Sequence, residues 1–214
     1  MNPKEIERFF KGIAKDFPED ATVYLTGAAA GALMGGVRPS LDVGFGVELK
    51  GANAKRWEQL TVAIEKNKAL TGLGSNYDED IDRWGMITLM DYQKHAKLFK
   101  QYGKLKVKVL EPAYWSIGKM TRYLHPDIAD MEMVFRKTKV SAVLLTGVWG
   151  KALKSSPRSA SLLLFRRQVE DFLVHSGPKI WGKSFDPAGA IRNFHRSAGI
   201  PMPVLGIRTP HPSG

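Results

Sequence analysis

Residues 23–49 read VYLTGAAAGALMGGVRPSLDVGFGVEL, and their pattern decides the fold. The β-branched and aromatic run Val23-Tyr24-Leu25-Thr26 predicts a short strand that turns at Gly27. Small residues from Ala28 to Met34 predict a helix, which Gly35-Gly36 and a basic turn at Arg38-Pro39-Ser40 interrupt. Leu41 to Leu49 then reads as a second strand with Asp42 near its start. Backbone N–H groups at a glycine turn that opens a helix leave room for a phosphate. An acid at the head of the next strand suits a hard divalent cation held between protein and phosphate oxygens. The plainer alternative is that Gly27 only turns the chain and Asp42 only caps a strand.

Gly27-Ala28, a spacer of thirteen residues and Asp42-Val43-Gly44-Phe45 resemble the signature of the nucleotidyltransferase (DNA polymerase β-like) superfamily. That signature is a Gly-Gly or Gly-Ser pair followed by Asp-x-Asp or Asp-x-Glu on a strand. With YLTG before it, Arg38-Pro39-Ser40 ahead of Asp42, and VLEP, KMTRY and DIAD later, residues 1–135 are similar to small bacterial nucleotidyltransferase-like proteins. These are related to the toxin side of abortive-infection toxin–antitoxin pairs. The resemblance implies an α/β (α+β) fold, a mixed sheet flanked by helices. It implies Mg²⁺ as cofactor, an NTP as substrate and transfer of a nucleotidyl group to an RNA or protein hydroxyl. It gives Asp42 the catalytic and metal-binding role, and Gly27, Ala28, Arg38, Ser40, Lys119 and Arg122 the nucleotide. Asp127 and Asp130 join Lys119 and Arg122 in a functional or structural network, and an antitoxin becomes a candidate partner. In that network Lys119 would neutralise a triphosphate and Arg122 would fork to a phosphate oxygen. The competing reading pairs both cations with Asp127 and Asp130 as a buttress that touches no ligand.

Two positions depart from the pattern. Gly44 stands where the superfamily has its second acid, so a second cation loses a ligand. Glu48 or the acidic run Asp78 to Asp82 would have to compensate. A third carboxylate is expected on a later strand such as Leu105 to Leu110, whose outward positions are instead Lys104, Lys106 and Lys108. Those lysines either contact phosphates or keep an exposed strand from pairing with a neighbour. A catalytically degenerate nucleotide- or RNA-binding protein is therefore the alternative to an active enzyme, and an RNA-binding regulator is a third reading.

Charge is lopsided. Residues 1–100 hold 14 Lys and Arg against 14 Asp and Glu, whereas residues 101–214 hold 18 against 7, so the formal net charge of +11 sits in the second half. A basic half attracts nucleic acid or triphosphate, or is simply a solvated surface, since its cations are spread over several helices. The 214 residues are 43% hydrophobic and contain no cysteine, so there is neither a disulfide framework nor a thiolate metal site. With no long apolar run and no signal-like segment, a cytoplasmic protein without membrane contact is expected.

The rest of the chain yields mostly helices. Asn2-Pro3-Lys4-Glu5 is a capping-box start for a helix whose Ile6, Phe9, Phe10, Ile13 and Phe17 recur on one face. Asn53 caps a helix to about Asn67, Gly72 to Asp80 reads as a polar loop, and Trp84 to Leu89 as a strand. Asp91 is expected to start a short helix carrying His95, Leu98 and Phe99. Leu105, Val107 and Val109 alternate with lysines, the clearest strand of all. Helices follow from about Ala113 to Leu124 and from Pro126, then a C-terminal all-helical region over 136–198 and a Pro-rich tail over 199–214. The domain expectation is thus 1–135, 136–198 and 199–214. The five histidines are far apart, and no Gly-x-Ser-x-Gly elbow, Walker loop or dinucleotide fingerprint occurs, which argues against zinc, hydrolase, P-loop and dehydrogenase chemistry.

Overall fold

The structure is a computed structural model, and it describes residues 1–36, 41–78 and 81–201. The N-terminal helix α1 (Pro3–Asp16) starts on the expected capping box: Asn2 accepts from Lys4 and Glu5, and Glu5 reaches back to the Asn2 amide. Its buried face, Ile6, Phe9, Phe10 and Ile13, meets Phe45, with the Phe10 and Phe45 rings edge to face at 5.4 Å. Strand β1 (Ala21–Thr26), helix α2 (Gly27–Leu33) and strand β2 (Asp42–Leu49) follow as expected. Helix α3 (Ala54–Thr71), capped by Asn53 and closed by Gly72 in the left-handed conformation, buries Leu60, Ala63 and Ile64.

Three assignments differ from the sequence reading. Part of the expected polar loop is a strand, β3 (Gly74–Asp78), paired parallel to β2. Trp84 to Leu89 is not one strand but a tight two-stranded ribbon, β4 (Arg83–Trp84) and β5 (Ile87–Thr88), turned at Gly85 with φ 58°. The helix expected after Asp91 is only a 3₁₀ turn over Tyr92–His95, which passes straight into strand β6 (Ala96–Tyr102). Strand β7 (Leu105–Leu110) is as read, with Leu105 and Val107 buried and Lys106 exposed.

These strands form a five-stranded mixed sheet in the order β3-β2-β1-β7-β6. β1 runs antiparallel to β2 and parallel to β7, and β6 runs antiparallel to β7. Because side chains alternate along a strand, Val43, Phe45 and Val47 face the α1–α3 layer while Asp42, Gly44 and Gly46 share the opposite face. On that second face Ile81 lies over Gly46, where an added Cβ would come within 3.0 Å of its side chain.

The remainder is helical: α4 (Pro112–Arg122), α5 (His125–Thr138), α6 (Ala142–Ser155), α7 (Ala160–His175), α8 (Gly177–Trp181) and α9 (Pro187–Ala198). Gly177-Pro178 opens the short α8, with the proline in its first turn. The core is continuous across residue 135. Trp149 of α6 donates to Ser116 Oγ of α4 at 2.9 Å, and its ring packs against Phe135 and Phe172. The β5 end of the ribbon is tied to the same helices, with the Thr88 amide donating to Ser156 Oγ at 2.9 Å. Among the described residues no helix is long and apolar enough to cross a membrane.

Candidate functional site

The turn from β1 into α2 sets the geometry. Gly27 has φ 59°, a conformation that costs a side-chain-bearing residue energy, and the space around it is open, so backbone conformation alone accounts for the glycine. Its carbonyl accepts a hydrogen bond of 2.7 Å from the Trp115 indole, which ties the start of α2 to the buried face of α4. The antiparallel register places Thr26 opposite Gly44, so the glycine turn and the head of β2 lie at one end of the sheet.

A cleft of about 350 Å³ opens there. Gly27, Ala28 and Asp42 line it from the sheet side, and Lys119 and Arg122 from α4. Five of the predicted site residues thus share one hollow. Arg38 and Ser40 lie outside the described residues. Asp127 and Asp130, on α5, stand behind Lys119 and Arg122.

The charges on the α4–α5 side meet one another. Lys119 is buried, with Nζ 3.0 Å from Asp127 Oδ1 and 2.6 Å from Asp130 Oδ2. Arg122 donates Nε and Nη2 to the two oxygens of Asp127 at 3.1 and 2.7 Å. Burial pushes the Asp127 carboxyl up, but hydrogen bonds from Arg122 and Lys119, and their charges, outweigh it and hold the group below the usual carboxylate value. Lys119 is thus engaged with the buttress carboxylates while it also lines the cleft. Arg122 differs: its side chain is 50% exposed, and the fork to Asp127 uses Nε and Nη2 only. Its Nη1 edge remains as a donor at the cleft.

The opposite wall consists of acceptors. Asp42 is exposed at the head of β2, and its carboxylate leans across β3 so closely that an added Cβ at Gly74 would collide with Oδ1. The parallel register sets Asn76 beside Gly44 and Asp78 beside Gly46, on the same sheet face, and both line the cleft. Asn76 was read as loop, and Asp78 entered the sequence reading only as the first acid of the run offered in place of the second carboxylate. Only the pairing of β3 with β2 brings them in. Arg83 and Trp84 complete the lining, the Trp84 ring lying against Gly118, where a Cβ would sit 2.9 Å from it.

Of the proposed replacements for the second acid, neither Glu48 nor Asp78 is adjacent to Asp42, and Glu79 and Asp80 lie outside the described residues. Glu48 pairs with Thr22, six residues down the strand and about 20 Å away, and it accepts the Tyr24 hydroxyl at 2.7 Å. Burial and that carboxylate push the Tyr24 hydroxyl pKa up. Asp78 lies four residues along from the Asp42 level, about 13 Å by strand rise. Among the described residues no group of three or more His, Cys, Asp or Glu converges to hold a metal. One carboxylate with the Asn76 amide oxygen suits a single hard cation that keeps waters and ligand oxygens in its shell; it does not suit two. Comparison with family models, curated proteins and solved structures gives no match.

Proposed function

We propose that the cleft binds a nucleotide by its phosphate chain together with one Mg²⁺, on a nucleotidyltransferase-like domain of the kind the Gly27-Ala28 and Asp42 motif resembles. The observation that carries this reading is the meeting of Asp42, the Gly27–Ala28 turn and the exposed edge of Arg122 in one hollow. Asp42 and Asn76 are the residues that would hold the cation, which when bound neutralises phosphate charge. From the opposite side, the donor edge of Arg122 would bind a phosphate oxygen, a reading supported by its exposure at the cleft. From an NTP, the reaction suited to such a site is attack of an RNA or protein hydroxyl on the α-phosphorus with pyrophosphate leaving. The toxin-like role and an antitoxin partner rest on the resemblance alone.

A second reading, binding without transfer, is favoured by Gly44: the second cation has no carboxylate of its own beside Asp42. Calorimetric titration of ATP, GTP, CTP and UTP, with and without Mg²⁺, tests the pocket. Mg²⁺-dependent binding of at least one that disappears in Asp42→Ala is expected; no binding in any combination ends both readings. Labelled NTP with total RNA then separates them, since transfer by the native chain removes the second.

A further inference from the structure

A second hollow lies away from the Asp42 cleft. A groove of about 470 Å³ runs between the β6–β7 end of the sheet and the α5–α6 junction. Its floor is Met34, Val109, Leu110 and Val140, and its lips are Leu98 on β6 and Leu144 on α6. Those lips are 58% and 53% exposed, and Val143, beside Leu144, is 71% exposed. The hollow is thus open and rimmed by exposed apolar side chains, which is the shape of a macromolecular contact rather than of a site enclosing a small ligand.

Among the described residues, charge around the groove is mostly positive. Lys97 lines it with an exposed side chain, Lys139 stands exposed between the lining residues Thr138 and Val140, and the Lys137 stem lies against Gly35, next to Met34. The one acid in the lining, Glu111, is already within 3.3 Å of Lys97 and 3.6 Å of His95. A second copy of the chain is a poor occupant, because it would bring the same lysines against these and carries +11 itself. β6 is also an edge strand with an irregular register between Leu98 and Lys100, a feature that hinders strand-to-strand pairing of copies.

We propose that this groove docks an acidic, amphipathic segment of a partner protein, with apolar side chains in the hollow and carboxylates on Lys97, Lys137 and Lys139. The site is separate from the Asp42 cleft and does not depend on nucleotide binding.

The test is selection of random peptides displayed on phage against the full chain, with counter-selection on the Leu98→Lys/Leu144→Lys variant. Both positions are more than half exposed, so the variant is expected to keep the native thermal midpoint. Enriched peptides are expected to combine Leu, Ile or Phe with an excess of Asp and Glu. A selected peptide should bind about tenfold or more weakly to the variant, and more weakly as salt rises. Peptides that are basic or uncharged, or that bind variant and native chain alike, overturn the proposal. So does a native dimer in sedimentation that the variant splits, which would make a second copy the occupant.

Discussion

The two walls of the Asp42 cleft carry charge for different purposes. On the α4–α5 wall, two cations and two carboxylates close on one another: Lys119 is buried between Asp127 and Asp130, and Arg122 forks onto Asp127. On the β2–β3 wall, Asp42, Asn76 and Asp78 stand exposed on short polar strand positions. The first wall spends its charge on holding two helices together across the break at Tyr123, whose φ is 52°. The second keeps acceptors at the surface of a hollow. Asp42 and the four charged residues of α4 and α5, which the sequence resemblance groups as one site, therefore divide between the two walls, with Arg122 belonging partly to both.

The sharpest way to break this division is to remove Lys119. In Lys119→Met, Asp127 and Asp130 lose their buried cation, and an uncompensated buried charge costs about 3–5 kcal/mol. Urea unfolding should show a loss of that size, with nucleotide binding, measured where the variant is folded, changed far less than stability. A small stability change with abolished binding would move Lys119 back to the ligand.

Acid tests the same wall without mutation of the cations. The Asp127 carboxyl is held below the ordinary aspartate value of 3.8, so its stabilisation is complete above that value and is lost as pH falls through the lower folded value. Glu170, where burial is outweighed by hydrogen bonds from Arg166 and His195, is likewise held below 4.5 and adds to the same acid limb. The urea midpoint should fall steadily from about pH 4.5 downward, the region where unfolded carboxylates gain protons first. Asp127→Asn should start from a lower midpoint and show a flatter acid limb. An unchanged slope would mean that Asp127 titrates alike in both states.

What the sequence disclosed follows from how local each signal is. The capping box at Asn2, the alternation of Leu105, Val107 and Val109, and the helical spacing of α1 are written within a few residues, and the structure carries all three. β3 was hidden because Gly-Ser-Asn-Tyr-Asp is poor strand sequence; register with β2 and the stacking of Tyr77 on Phe45 hold it in place. β6 was hidden because Ala96 to Tyr102 is an edge strand without clean alternation, and its helix-like spacing of His95, Leu98 and Phe99 misled. In the cleft, the glycine turn and Asp42 were legible as a motif, whereas Asn76 and Asp78 arrive through strand pairing across more than thirty residues. The salt-bridged state of Lys119 was one of two readings offered for it, and its burial between Asp127 and Asp130 became visible only in three dimensions.

The smallest stability effects belong to the β2–β3 wall, and they sharpen the comparison. Asp42→Ala, at an exposed position, should cost clearly less unfolding free energy than Lys119→Met, while Mg²⁺-dependent nucleotide binding is lost. Gly44→Asp should fold, because a Cβ there meets Thr26 Cγ2 at an ordinary 3.6 Å. It would place a second carboxylate on the Asp42 face, two residues or about 7 Å along the strand. Mn²⁺ affinity, followed by its paramagnetic resonance signal, should rise in that variant and in Asn76→Asp, and rise less than additively when the two are combined, since like charges placed side by side repel. If Asp42→Ala costs as much stability as Lys119→Met, the β2–β3 wall is scaffold as well. A gain of cation affinity at Gly44 or Asn76 without loss of stability identifies it as the wall that meets the ligand.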